Sequence, residues 1–150
     1  MPLKLLINIV DPTFEQNGLT RSLVIGSIYW NLYVYSCFLY MIAGLVKIYR
    51  KEQIYGFNLI VQSFLSYMSD VETLGQKSHW HLLDRYFALV LSCYHFSTVK
   101  TRNTFVLNFI LFLIGLRFLK KSIKFYHEKN ERFLLEHTKW HLIAPLMAII

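Results

Sequence analysis

Two histidines four residues apart, His137 and His141, stand in the run Glu136-His137-Thr138-Lys139-Trp140-His141-Leu142-Ile143-Ala144-Pro145. On a helix that spacing puts both rings on one face, one turn apart. Neutral imidazole is a strong ligand for zinc and iron, so the pair reads as half of a metal site. The competing reading is a pair of interfacial histidines bonded to lipid headgroups and water. Two carboxylates and a hydroxyl could complete the chemistry. Asp70 ends a polar stripe that steps through Asn58, Gln62 and Ser66 in strides of four, with Ser69 beside it. Asp84 opens a later apolar run next to Arg85, where an anchoring Asp-Arg pair at a membrane edge is the plainer alternative.

The elements that must position these groups are apolar and long. Of 150 residues, 55% are hydrophobic and 17% aromatic, and the mean hydropathy is +0.36. Such values point to the bilayer as solvent and to one domain. The expected fold is an all-α integral membrane protein. Its single membrane domain, 1–150, would hold about five transmembrane helices near 22–46, 54–71, 79–98, 104–119 and 134–150, preceded by an interfacial segment, 1–20. Asp11-Pro12 breaks the first apolar stretch too early for a signal peptide. Ser78 is a suitable N-cap for the third helix, and the basic stretch after Leu119 reads as a solvated hairpin. Cys37 and Cys93 fall in mid-helix and read as packing residues, with no disulfide framework.

The net charge of +7 comes from lysines and arginines placed between apolar runs. There they contact anionic headgroups and set topology, which argues against nucleic acid as a partner. The expected partners are the lipid bilayer and a lipid substrate. If all five runs cross, the second helix brings Ser66 and Asp70 to one side. The third leaves that side at Asp84, and the fifth leaves it at His137 and His141. Three helices thus deliver these groups to similar depth. The same side carries the larger share of basic residues, which places it in the cytoplasm by the positive-inside rule. A non-enzymatic scaffold or assembly subunit would need only the helices and basic loops. A small transporter would need the polar line to continue to the opposite face, where the third to fifth helices look apolar.

Ser66-Tyr67-Met68-Ser69-Asp70, then Asp84, then His137-Thr138-Lys139-Trp140-His141 resembles the pattern of the ceramidase and adiponectin-receptor superfamily. That group's motif is Ser-x-x-x-His, a later Asp, and His-x-x-x-His, usually on seven spans. Asp70 stands where the family has histidine, and about two spans between Asp84 and His137 are missing. The resemblance implies a zinc-dependent lipid amidohydrolase, with Asp70, His137 and His141 as ligands and Ser66 and Asp84 as catalytic groups. Ferrous iron would suit a facial pair of histidines and one carboxylate equally. In a frame shifted to Ser63, Tyr67 takes the ligand place and His81 becomes the alternative third ligand. The substrate so implied is an amide- or ester-linked lipid attacked by a metal-activated water.

Overall fold

The computed structural model describes residues 18–150, so most of the segment expected at the interface, 1–20, lies outside the described residues. The described chain is all-helical, and it contains no strand. A single turn, α1 (Arg21–Val24), precedes α2 (Trp30–Cys37) and α3 (Leu39–Tyr49). These are followed by α4 (Gln53–Tyr67), a π-helical turn (Met68–Glu72), α5 (His79–Thr98), α6 (Arg102–His127) and α7 (Arg132–Ile149).

The first expected helix, 22–46, is interrupted. Gly26 and Ser27 break it, and the Ser27 hydroxyl and carbonyl accept the Tyr29 and Trp30 N–H groups as the chain turns back into a helix. Taken together α2 and α3 form a 20-residue stretch, Trp30–Tyr49, long and apolar enough to cross a membrane. It alone among the described helices meets that measure, where five such helices were expected. The reason lies in the others' composition. α4 has only 15 residues before the π turn. α5, α6 and α7 carry Asp84-Arg85, Arg117-Lys120-Lys121-Lys124, and Glu136 with Lys139 inside their helical spans.

The fourth helix runs well past Leu119, through the stretch read as a solvated hairpin. Asn108, Gly115, Ser122 and Tyr126 are its buried residues, in steps of seven, seven and four. That stripe keeps one face of α6 against α7, and continued burial carries the helix through its basic residues. At Gly115 the two helices are so close that an added Cβ would sit 2.9 Å from the Trp140 ring. At the other helical junction, Ser78 caps α5 by accepting the Trp80 N–H at 3.2 Å.

Two apolar clusters bracket the middle of the bundle. Trp30, Tyr33, Cys37, Val71, Tyr126 and Phe133 belong to one; Tyr40, Ala43, Tyr55, Leu59, Leu91 and Ala148 form most of the other. Near the first, Arg21 Nη1 donates to Glu72 Oε2 and the Tyr67 hydroxyl to Glu72 Oε1, both at 2.8 Å. The Tyr67 bond and then the Arg21 charge hold the Glu72 carboxyl below the usual carboxylate range.

α3 and α4 cross backbone to backbone. A Cβ built on Gly44 would lie 2.6 Å from the Gly56 carbonyl oxygen, and one on Gly56 2.5 Å from that of Gly44. Backbone cannot yield as a flexible side chain can, so this crossing requires two glycines. Gly44→Val should cost about 1–3 kcal/mol through overpacking, read as a fall of several degrees in the thermal midpoint by circular dichroism. Gly26→Ala, which meets nothing within 4 Å, is the control and should leave the midpoint unchanged. Equal midpoints for Gly44→Val and wild type would contradict the close crossing.

Candidate metal centre

Asp70 sits in the π-helical turn that ends α4. There the Thr73 N–H reaches back five residues to the Met68 carbonyl at 3.1 Å, and the Thr73 hydroxyl donates to the same oxygen at 2.8 Å. A π turn shifts the side-chain register of the residues within it and is a frequent device at functional sites. The Tyr33 hydroxyl donates to the Asp70 carbonyl at 3.0 Å, tying the turn to α2. The Ser69 hydroxyl reaches Asp70 Oδ1 at 3.2 Å. The second carboxylate oxygen points at α7.

His137 Nε2 lies 3.2 Å from Asp70 Oδ2, and His141 Nε2 lies 3.1 Å from the same atom. The three side chains are 14%, 2% and 13% exposed for His137, His141 and Asp70 respectively. Tyr33 stacks on the His141 ring at 6.5 Å, and Tyr40 meets it edge-on at 5.7 Å. Phe133 covers His137 at 5.2 Å. The cluster is therefore walled by aromatics and nearly dry.

The far nitrogens decide which tautomer each ring adopts. Ser36 Oγ is 2.6 Å from the Tyr33 carbonyl and 3.0 Å from His141 Nδ1. Two oxygens that close need a hydrogen between them, and only the serine has one to give. Ser36 therefore accepts from His141 Nδ1–H. Ser122 repeats the arrangement, donating to the Leu119 carbonyl at 3.1 Å and accepting from His137 Nδ1–H at 3.2 Å. In the neutral rings both Nε2 atoms then carry lone pairs, and both face a carboxylate oxygen. Such an arrangement is repulsive unless a proton or a metal ion lies among the three atoms: a protonated ring would make a histidine–aspartate ion pair, and a metal ion would make a ligand set. Ligands at about 2.0 Å from a tetrahedral zinc are about 3.3 Å apart, close to the two Asp70–histidine edges seen here. The compact group, with donor atoms all within 4.8 Å of one another, is instead Cys37, Asp70 and His141, which His137 joins through Asp70. Fixing the ligand nitrogen through a hydrogen bond to the opposite one is the usual outer-shell role in metal sites.

Asp84 comes to the neighbouring turn of α4. Its Oδ1 accepts from Gln62 Nε2 at 2.6 Å and from the Ser66 hydroxyl at 2.8 Å. Gln62, Ser66 and Asp70 are spaced four apart, so Asp84 is held one turn along from Asp70. The expectation that Ser66 itself contacts substrate or water is revised: its proton is committed to Asp84, and it positions that carboxylate. Both hydrogen bonds fall on Oδ1, leaving Oδ2 to hold a proton.

The alternative ligand, His81, is spent elsewhere. Its Nε2 faces the Gln76 carbonyl at 2.9 Å and the Thr73 carbonyl at 3.2 Å, so it carries a hydrogen. Its Nδ1 is 2.9 Å from the Ser69 hydroxyl. With both nitrogens engaged, His81 ties the π turn to the start of α5 and reaches Asp70 only through Ser69. The shifted frame also fails geometrically. Ser63 donates to the Cys37 carbonyl at 2.9 Å, and the Tyr67 hydroxyl is bound to Glu72.

Cys37, expected to be a packing residue, lies beside the centre. Donor atoms of Cys37, Asp70 and His141 all fall within 4.8 Å of one another, a buried group that could hold a metal ion. Ser36, Cys37 and Ser122 were missed in the sequence. Ser36 and Cys37 offered only a polar atom inside an apolar helix, a weak signal because serine and cysteine are common there, and Ser122 lay in the basic stretch read as a solvated hairpin.

The opposite half of the bundle is also less apolar than expected. The Tyr55 hydroxyl and His95 Nδ1 are 2.8 Å apart, and Lys47 Nζ reaches both Glu52 oxygens at 3.1 Å. Between this end and Gln62 lies a cavity of about 40 Å³.

Removing either serine frees the ring it holds to adopt the wrong tautomer. Ser36→Ala and Ser122→Ala should each weaken zinc binding about 10- to 100-fold, measured by competition with a chromogenic chelator. Affinities equal to wild type in both variants would contradict the tautomer assignment. Compared with family models, curated proteins and solved structures, the chain finds no match in any of the three.

Proposed function

We propose that the chain is a multi-pass integral membrane protein that hydrolyses an amide- or ester-linked lipid at a zinc centre held by Asp70, His137 and His141. One observation carries the reading: two histidine Nε2 atoms, fixed as acceptors by Ser36 and Ser122, converge on Asp70 Oδ2. In a scaffold or assembly subunit the same cluster would be a hydrogen-bonded core without metal.

Membrane residence is supported by the outer surface. Ile28 is 84% exposed, Ile54 74%, Val90 65% and Phe57 63%, with further exposed apolar side chains on α6 and α7. So many exposed large apolar side chains are compatible with lipid and poorly compatible with water.

A bound Zn²⁺ would supply a Lewis acid and lower the pKa of a coordinated water toward ~7. The protein's own groups do the rest. Asp84, oriented by Gln62 and Ser66, takes a proton on Oδ2 and returns it to the leaving amine or alcohol. Tyr33, Tyr40 and Phe133 keep bulk water from the histidine rings. The cavity between Gln62 and His95, bordered by Leu59, Leu91, Phe112 and Met147, is about 40 Å³, room for a few waters and not for an acyl chain. The substrate's tail would therefore lie along the apolar outer face of the helices.

Zinc-loaded protein in detergent should hydrolyse a long-chain N-acyl or O-acyl lipid, lose activity to a chelator and regain it with zinc. Asp84→Asn should lower kcat at least ~100-fold, within the usual range for loss of a general acid-base group, with metal content unchanged. Hydrolysis of neither lipid class by metal-loaded protein would contradict the enzymatic reading. Release of the protein from membranes by alkaline carbonate would contradict the multi-pass one.

A further inference from the structure

Cys37 is the last residue of α2 and follows directly on Ser36, which holds His141. Its side chain is fully buried. The sulfur lies 3.9 Å from His141 Nδ1 and 3.9 Å from the Tyr33 carbonyl. Neither contact is a strong hydrogen bond, so the thiol is enclosed without a short polar partner. A purely packing cysteine behaves as a small hydrophobe and needs only apolar neighbours. This one instead faces an imidazole and, within 4.8 Å, a carboxylate oxygen. Around zinc, a thiolate at about 2.3 Å and an imidazole at about 2.0 Å are separated by roughly 3.5 Å. The 3.9 Å contact is to Nδ1, the nitrogen that bonds Ser36, so ligation needs the sulfur to swing from that side of the ring toward Nε2, starting inside the 4.8 Å group of donor atoms. Cys93, by contrast, is exposed on the outside of α5.

We propose that Cys37 is a fourth protein ligand to the ion, making the centre a Cys-Asp-His-His set. The inference rests on the metal reading given above and sharpens it in two ways. A thiolate among imidazoles favours zinc over ferrous iron, since soft donors select zinc from the candidate metals. Four protein donors also fill a tetrahedral zinc site, and hydrolysis requires an open position. Cys37, whose sulfur has no polar contact shorter than 3.9 Å to hold it, is the donor that yields to water, so the thiol holds the centre closed at rest. On ligation Cys37 gives up its S–H proton to solvent; on release it takes one back, and no electrons move.

Cobalt(II) reports the ligand directly. Detergent-purified wild type loaded with cobalt should show near-ultraviolet absorption from thiolate-to-cobalt charge transfer, alongside visible d–d bands. Cys37→Ser should lose the charge-transfer band while retaining cobalt, and Cys93→Ser should keep it. Stoichiometric cobalt without that band in wild type, or a band that disappears with Cys93→Ser, would overturn the proposal. Should Cys37→Ser not fold, the wild-type and Cys93→Ser spectra decide alone. Wild type that binds no cobalt at all would overturn the metal reading itself, a separate and recognisable failure.

Discussion

The structure depends on one point of contact, where Asp70 Oδ2 meets the Nε2 atoms of His137 and His141 at 3.2 and 3.1 Å. Burying a carboxylate among helices is costly unless positive charge or donors compensate it. Here the nearest groups are two nitrogens whose hydrogens are drawn to the opposite side of each ring. Everything around the contact serves to keep those three atoms together. Tyr33 fixes the turn that carries Asp70, while Ser36 and Ser122 orient the rings from α2 and α6. The apolar clusters on either side close the bundle around them.

This constraint links elements distant in the chain. α7 supplies both histidines, but α2, the π turn and α6 each determine how those histidines can be used. The π turn is the least regular piece of the fold and bears the central carboxylate. An uninterrupted α-helix would place residue 70 in a different rotational register relative to α7. Irregular backbone here is thus tied to the site, with His81 and Thr73 bonding its ends.

The sequence made the reactive residue types legible and left their partners obscure. His137 and His141 declare themselves by their four-residue spacing, and Asp70 does approach them, although the counting that led to that expectation assumed five crossing helices and only one described helix meets the measure of a span. The helical class followed from apolar runs of the right length. Ser36 was not legible because a hydroxyl inside an apolar helix is equally consistent with bonding to its own backbone, which it also does, and Ser122 was hidden in a lysine-rich stretch read as a solvated hairpin. Ser66 was read as a group acting on substrate, yet its role depends on where Gln62 and Asp84 meet. The end of α6 was misplaced since charge density was taken as a stop signal. The seven-residue steps from Asn108 through Gly115 to Ser122 carried the opposing information. Cys37 was read by residue type alone, which says nothing about the neighbours that a fold supplies.

The most direct test of the account is metal content by mass spectrometry of detergent-purified wild type beside the His137→Ala/His141→Ala double variant, with folding checked by circular dichroism. The account predicts close to one zinc per wild-type chain and almost none in the folded variant. Wild type free of metal after purification in zinc-supplemented buffer, or a variant that retains the same zinc, would show that the Asp70–histidine cluster is a hydrogen-bonded core and not a metal centre.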